Sequence, residues 1–308
     1  MKEDEDEHIL EAIGRSRIVI RNGQVVEVGE PVIRECPLAK RFARPVHEIT
    51  PGAVRENIEH RIRSFGMCTP DRMVELSGDF VGFGASEILS AGIKGGLIDC
   101  AVIAGDGAGT ILASTPTSRR NSGSSGSRMA GTILASTPTL VQGIGGRMSG
   151  LVRTTPHPAV IARIESAGGI VLDRQLARID QVEGVARACA EGFRRVAVTV
   201  ADAGDAERIR GEYPDTLIVV VHTTGTTAED AARFARSADL ITACASRHIR
   251  EIAGKSALIQ AGSAIPVFAM TARGKEILLW KVLHTSTPMV FMGANLPYSS
   301  DRCPDPLV

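Results

Sequence analysis

Four short apolar runs punctuate the second half of the chain, over 195–201, 216–221, 239–244 and 265–270. Each is bounded by turn or helix signals, and the stretches between them carry helical periodicity. Apolar runs that are not broken by alternation belong to strands buried on both faces. Strands and helices in turn predict an α/β fold: a mostly parallel, Rossmann-like sheet of repeated β-α units flanked by helices. The runs stop at Asp202, at His222-Thr223-Thr224-Gly225, at Cys244-Ala245-Ser246 and at Thr271. Parallel sheets bind ligands beyond the carboxyl ends of their strands. The pattern therefore predicts a place for chemistry before it predicts a reaction.

The first half reads differently. Residues 17–21 and 24–28 flank Asn22-Gly23, a pair that accepts positive φ at both positions, as a type I′ hairpin turn requires. This hairpin opens a small N-terminal α+β region. Thr50-Pro51 and Thr69-Pro70 each read as an N-cap with proline in the first helical turn, predicting helices to about residues 64 and 76. Residues 80–83 and 99–104 read as strands around a helix over 87–94, one β-α-β unit leaving through Gly105-Asp106-Gly107-Ala108-Gly109. Thr155-Pro156 predicts a further helix to about 167. Residues 180–192 predict another, and Thr226 to Glu229 form a capping box for a helix over 228–237. The expected division is 1–78 for the α+β region, 79–170 for the glycine-rich unit, 171–284 for the parallel domain and 285–308 for an irregular tail.

One decapeptide, AGTILASTPT, occurs twice, at 108–117 and 130–139, around a Ser/Gly/Arg-rich linker. Two copies are too few for a stacked repeat. The expectation is a local duplication without function, one copy continuing the core and the other bulging out with the linker.

Lys plus Arg and Asp plus Glu each number 35, so the net charge is zero. With aromatics at 4%, neither a nucleic-acid surface nor base-stacking platforms are expected. The six cysteines are scattered, without metal-ligand spacing. No signal-peptide pattern or membrane-length apolar run is visible, so a reduced, cytoplasmic setting is expected.

Candidate chemistry falls on the predicted strand ends. His222 is an acid–base group or metal ligand emerging from a valine-rich strand, or else a packed histidine. Thr223 and Thr224 offer hydroxyls to an anion, or caps to a helix. Cys244 precedes a helix, a setting that favours thiolate and suits a nucleophile, although a small buried cysteine has the same appearance. Ser246 and Asp202 have the same dual reading of ligand contact or cap. Asp106 with Gly107 and Gly109, and Gly143, Gly145 and Gly146 with Arg147, make a possible anion site, or tight turns. Neither glycine cluster is the dinucleotide fingerprint, since Thr110 and Met148 stand where a glycine is required. Gly254-Lys255-Ser256 lacks the leading glycine of a phosphate loop.

Ten segments in order bear a family resemblance: Ile18 to Gly23, Glu35 to Leu38, Glu48 to Pro51, Phe83 to Ile88, Asp106 to Thr110, Leu140 to Arg147, Ile179 to Gly184, Val198 to Asp202, His222 to Gly225 and Thr242 to Ser246. Together they resemble methanogenesis marker protein 8, an archaeal family, over about residues 8–280. Removing 118–139 or 108–129 restores an uninterrupted run through that pattern. The resemblance implies a methanogen-type archaeon and oxygen-free cytoplasm. It implies no reaction, no cofactor and no particular metal. Two functions are expected side by side: binding of a small anionic metabolite or cofactor at the strand ends, or non-catalytic assembly work on methyl-coenzyme M reductase or its cofactors. A metal or iron–sulfur carrier using Cys36, Cys68 and Cys244 is the weaker third.

Overall fold

The computed structural model describes residues 6–114, 136–146, 148 and 150–308. Two sheets organise the chain. The smaller contains β1 (Glu7–Glu11), β2 (Arg17–Arg21), β3 (Gln24–Val28) and β6 (Gly150–Arg153), ordered β3-β2-β1-β6 with every pair antiparallel. Asn22 and Gly23 take φ of 50° and 71°, so the turn chemistry read from the sequence builds the β2–β3 hairpin. Helix α1 (Pro51–Phe65) covers this sheet with Val54 and Ile58, which are fully buried with Leu10, Ile18 and Ile20. Its N-cap is Thr50, whose hydroxyl accepts the Ala53 N–H at 3.2 Å.

The larger sheet holds β4 (Cys100–Gly105), β5 (Gly109–Ser114), β7 (Ile170–Val171), β8 (Val196–Val200), β9 (Leu217–Val220), β10 (Leu240–Thr242), β11 (Ile259–Ala261) and β12 (Val267–Ala269). Their order is β11-β12-β10-β9-β8-β4-β5-β7. Helices cover both faces, as the unbroken apolar runs require. On one face α2 (Ala85–Lys94), α3 (Ser136–Ile144), α4 (Pro158–Ser166) and α9 (Ala272–Leu283) pack on Ala101, Ile103, Leu217 and Val219. On the other, α5 (Gln181–Ala190), α6 (Ala203–Glu212) and α7 (Ala228–Ser237) pack on Val102, Val198, Ile218 and Val220. Each of these valine, leucine and isoleucine side chains contributes about 1.5–3 kcal/mol relative to exposure.

The expectation of a mostly parallel, Rossmann-like sheet is not met. The pairs β4–β8, β8–β9 and β9–β10 are parallel, but the remaining four are antiparallel. Two of the differences have local causes. The run over 265–270 becomes β12, which runs against β10, so Thr271 stands at the opposite edge and caps α9 while bonding Asp239. Strand β4 does not continue into a helix. Its glycine-rich exit is a tight turn with Gly107 at φ 77° and Gly109 at φ 71°, and the chain returns as β5.

Tertiary contacts override other local signals. Residues 80–83 form no strand, because the Phe80 and Val81 N–H groups donate to the Glu87 carboxylate. Thr69-Pro70 starts no helix; the Thr69 hydroxyl closes a turn on the Gly66 carbonyl, and Arg72 enters the core. Thr155 is held by the Glu7 backbone, so α4 begins at Pro158 with His157 at its N-cap. The capping box before α7 shifts by one residue, with Thr227 accepting the Asp230 N–H. The first decapeptide copy forms β5 in the core, and the end of the second opens α3; the linker lies outside the described residues. At the tail, Val308 exchanges backbone hydrogen bonds with Ala245 and Arg247, so its end is an extended arm. No helix among the described residues is long and apolar enough to cross a membrane.

Candidate functional site

The three parallel pairs bring the ends of β4, β8, β9 and β10 to one edge of the large sheet. The ends of β9 and β10 are stitched together: the Thr223 hydroxyl donates to the Thr242 carbonyl at 2.6 Å, and the Thr242 hydroxyl to the Val220 carbonyl at 3.0 Å. Immediately beyond, His222 (φ 57°) and Cys244 (φ 35°) adopt left-handed backbone. Non-glycine residues held in that region are strained and concentrate at functional sites. Both residues line a cleft of about 470 Å³ between the sheet edge and the N-terminal region. That volume suits a metabolite or cofactor-sized ligand.

Thr224, Gly145 and Gly146 also line the cleft. The opposite wall comes from α1, where Asn57, His60, Arg61 and Ser64 recur at helical spacing, and from Glu11, Arg15, Cys36 and Arg44. Ser86, Glu87, Thr199 and Gln181 complete its polar lining. The His222 ring is reached by water yet surrounded by protein atoms. That partial dehydration lowers its pKa from the ordinary 6.5, and the Glu11 carboxylate pulls it back up. A neutral imidazole of this kind can accept a proton. Burial raises the Glu87 carboxyl, opposed by its backbone hydrogen bonds, and raises the Cys36 thiol.

The other strand-end candidates sit elsewhere. Asp106 is 1% exposed, receiving the Arg72 Nε–H at 3.0 Å and the Cys68 N–H at 2.6 Å. Gly109 and Gly143 approach backbone closely: a Cβ would meet the Ala177 oxygen at 2.2 Å and the Val74 oxygen at 2.1 Å respectively. Gly107 lies in the same turn as Asp106. Asp202 caps α6 through the Asp205 N–H, and Ser246 accepts the Ile249 N–H, capping the π-helical segment Ile249–Ala253 that leads into α8 (Gly254–Ser256). Thr223 is the stitch described above. Arg147 lies outside the described residues. Cys36 and Cys244 line the cleft, whereas Cys68 is buried against Asp106.

The polar stripe on α1 was legible as helical spacing but carried no sign of what it faces. A second cluster gave even less signal. Asp6 and His8 lie two apart, so an extended strand puts them on one face. The structure brings them to His157, at the start of α4. Among the described residues these three form the group of potential metal ligands whose donor atoms all lie within 4.8 Å of one another. Burial, with the nearby His157, lowers the His8 pKa, and Asp6 opposes the shift.

Comparison with known proteins places the chain. A family profile described as an uncharacterized protein conserved in archaea (DUF2099) matches residues 8–125 and 124–283. The chain belongs to this archaeal family. It is 41% identical over 306 residues to the uncharacterized protein MJ0054 of Methanocaldococcus jannaschii, covering 98% of this chain and all of that protein. The two profile matches meet inside the linker between the decapeptide copies. No solved structure matches the chain.

Proposed function

We propose that this archaeal protein binds a small anionic metabolite or cofactor in the cleft beyond β9 and β10. The observation that carries this reading is the lining itself. His222, Thr224 and Cys244 from two stitched strand ends face Gly145, Gly146 and a wall bearing Arg15, Arg44 and Arg61. The three guanidinium groups meet two carboxyls: Glu11, which pairs with Arg15 at 3.5 Å, and Glu87, which accepts the Phe80 and Val81 N–H groups. The balance favours an anion, and enclosure strengthens its attraction. In this reading His222 moves a proton, Cys244 is a nucleophile or soft contact, and Thr224 and the glycines position the ligand. A link to methane metabolism rests on the segments resembling methanogenesis marker protein 8.

A second reading, an assembly or maturation factor for methyl-coenzyme M reductase or its cofactors, is favoured by one feature. Val290, Phe291 and Met292 stand exposed in succession on the tail. Native mass spectrometry of protein purified without oxygen from an archaeal host separates the two. The anion reading expects a bound mass that disappears in His222→Asn and Arg44→Ala. A bare mass, with a second protein lost on Phe291→Ala, replaces it with the assembly reading.

A further inference from the structure

The Asp6–His8–His157 cluster lies outside the lining of the cleft. Its donor atoms are close: Asp6 Oδ1 is 2.9 Å from His8 Nε2 and 3.3 Å from His157 Nε2, and the two nitrogens are 3.1 Å apart. Ligand atoms about 2.1 Å from one ion stand about 3.0 Å apart at right angles and about 3.4 Å apart at the tetrahedral angle. The three observed spacings fall within or at the edge of that interval.

The contacts behind the cluster hold His8 in place. The Thr154 hydroxyl accepts the Gly107 N–H at 2.8 Å and contacts His8 Nδ1 at 2.6 Å. The other ring nitrogen, His8 Nε2, faces Asp6 and His157. Asp6 Oδ1 is itself buried, with both imidazoles approaching it. His8 is 0% and His157 6% exposed, so the two imidazoles are closed to bulk water.

We propose that Asp6, His8 and His157 bind one divalent first-row transition-metal ion. Two imidazoles and one carboxylate suit Fe²⁺, Co²⁺ or Zn²⁺ better than the oxygen-seeking Mg²⁺ and Ca²⁺, or the thiolate-seeking Cu⁺. Three protein ligands leave at least one coordination position for water or another ligand. Thr154, in contact with His8 Nδ1, is the outer partner that orients this imidazole, as hydroxyls and carbonyls do behind metal-bound histidines. The site is built from β1, the segment after β6 and the start of α4. It therefore joins the small sheet to the turn that ends β4, and an ion there holds the two together.

The test titrates Co²⁺ alone into chelator-treated full-length protein under nitrogen, reading visible d–d absorption and calorimetric stoichiometry. One equivalent should bind, with a rise in Tm because only the folded chain holds the ligands together. Asp6→Asn and His157→Gln should each weaken binding by at least about 100-fold, and Thr154→Val by about 10–100-fold. Asp6 lies at the end of the described chain, so Asp6→Asn decides the matter if His157→Gln does not fold. Unchanged affinity in Asp6→Asn, no saturable binding to the parent, or a thiolate-to-cobalt charge-transfer band pointing to cysteine would each overturn the proposal.

Discussion

Strands β4 and β9 belong to one parallel block, and both end in a short polar turn, yet their ends have opposite fates. At β4 the loop after α1 drives Arg72 into the core. The guanidinium is 0% exposed and pairs with Asp106, while also donating to the Gly143 carbonyl at 2.9 Å. The end of β9 opens instead on the cleft: His222 lines it, and the N-terminal region forms its far wall. The rule that ligands bind at strand ends names an edge of the sheet. The segment folded over that edge decides which end is available.

The comparison can be broken most directly at Asp106. Removing one partner of a buried ion pair leaves the other charged and dry, which costs about 3–5 kcal/mol. Asp106→Ala should therefore shift the urea unfolding midpoint far more than any change at His222. The double variant Arg72→Met/Asp106→Leu should recover most of the loss, because an apolar pair of similar volume removes the orphaned charge. A loss below about 1 kcal/mol in Asp106→Ala would mean that the end of β4 is not a structural plug.

Gly109 offers the next largest effect. Its φ of 71° and the Ala177 oxygen 2.2 Å from a would-be Cβ leave no space for a methyl group. Gly109→Ala should cost about 2 kcal/mol or more, in thermal unfolding. A neutral result would restore the reading of this glycine as a ligand contact rather than a packing requirement.

These two positions also show how much the sequence disclosed. The β2–β3 hairpin, the caps at Thr50 and Asp202, and the buried strands β8, β9 and β10 were legible, because each rests on chemistry within a few residues. The site was legible only as an edge. Asp106 and His222 looked alike because each follows an apolar run, and what separates them is Arg72 for one and open space for the other. Arg72 lies 34 residues from Asp106, and the walls around the cleft come from the distant N-terminal region. Strand direction was hidden for a similar reason: an apolar run such as 265–270 carries no record of whether its neighbour runs with it. Asp6, His8 and His157 escaped because 149 residues separate the two histidines.

At the open end, substitutions should change binding while sparing the fold. Asparagine tolerates left-handed backbone, so His222→Asn keeps the turn. Its unfolding free energy should stay within about 0.5 kcal/mol of the parent, whereas any bound anion mass disappears. Unfolding as severe as that of Asp106→Ala would place His222 among the packed core residues and remove the contrast between the two strand ends.

The smallest effect is the most discriminating, because it reads the environment of the His222 ring. Dehydration lowers its pKa in the folded protein below 6.5, against the pull of Glu11. Between the folded and unfolded pKa values the unfolded chain binds more protons, so stability rises with pH across that window. The contribution is complete above 6.5 and is lost as pH falls through the folded value. Lowering the pH from about 7 to about 5 in Tm measurements should therefore cost the parent slightly more than His222→Asn, by an amount that water access to the ring keeps small. A gap between the two proteins that widens in the other direction would show that Glu11 outweighs dehydration. The imidazolium would then be the favoured form, and His222 would enter the cleft as a fourth cation beside Arg15, Arg44 and Arg61 rather than as a proton acceptor.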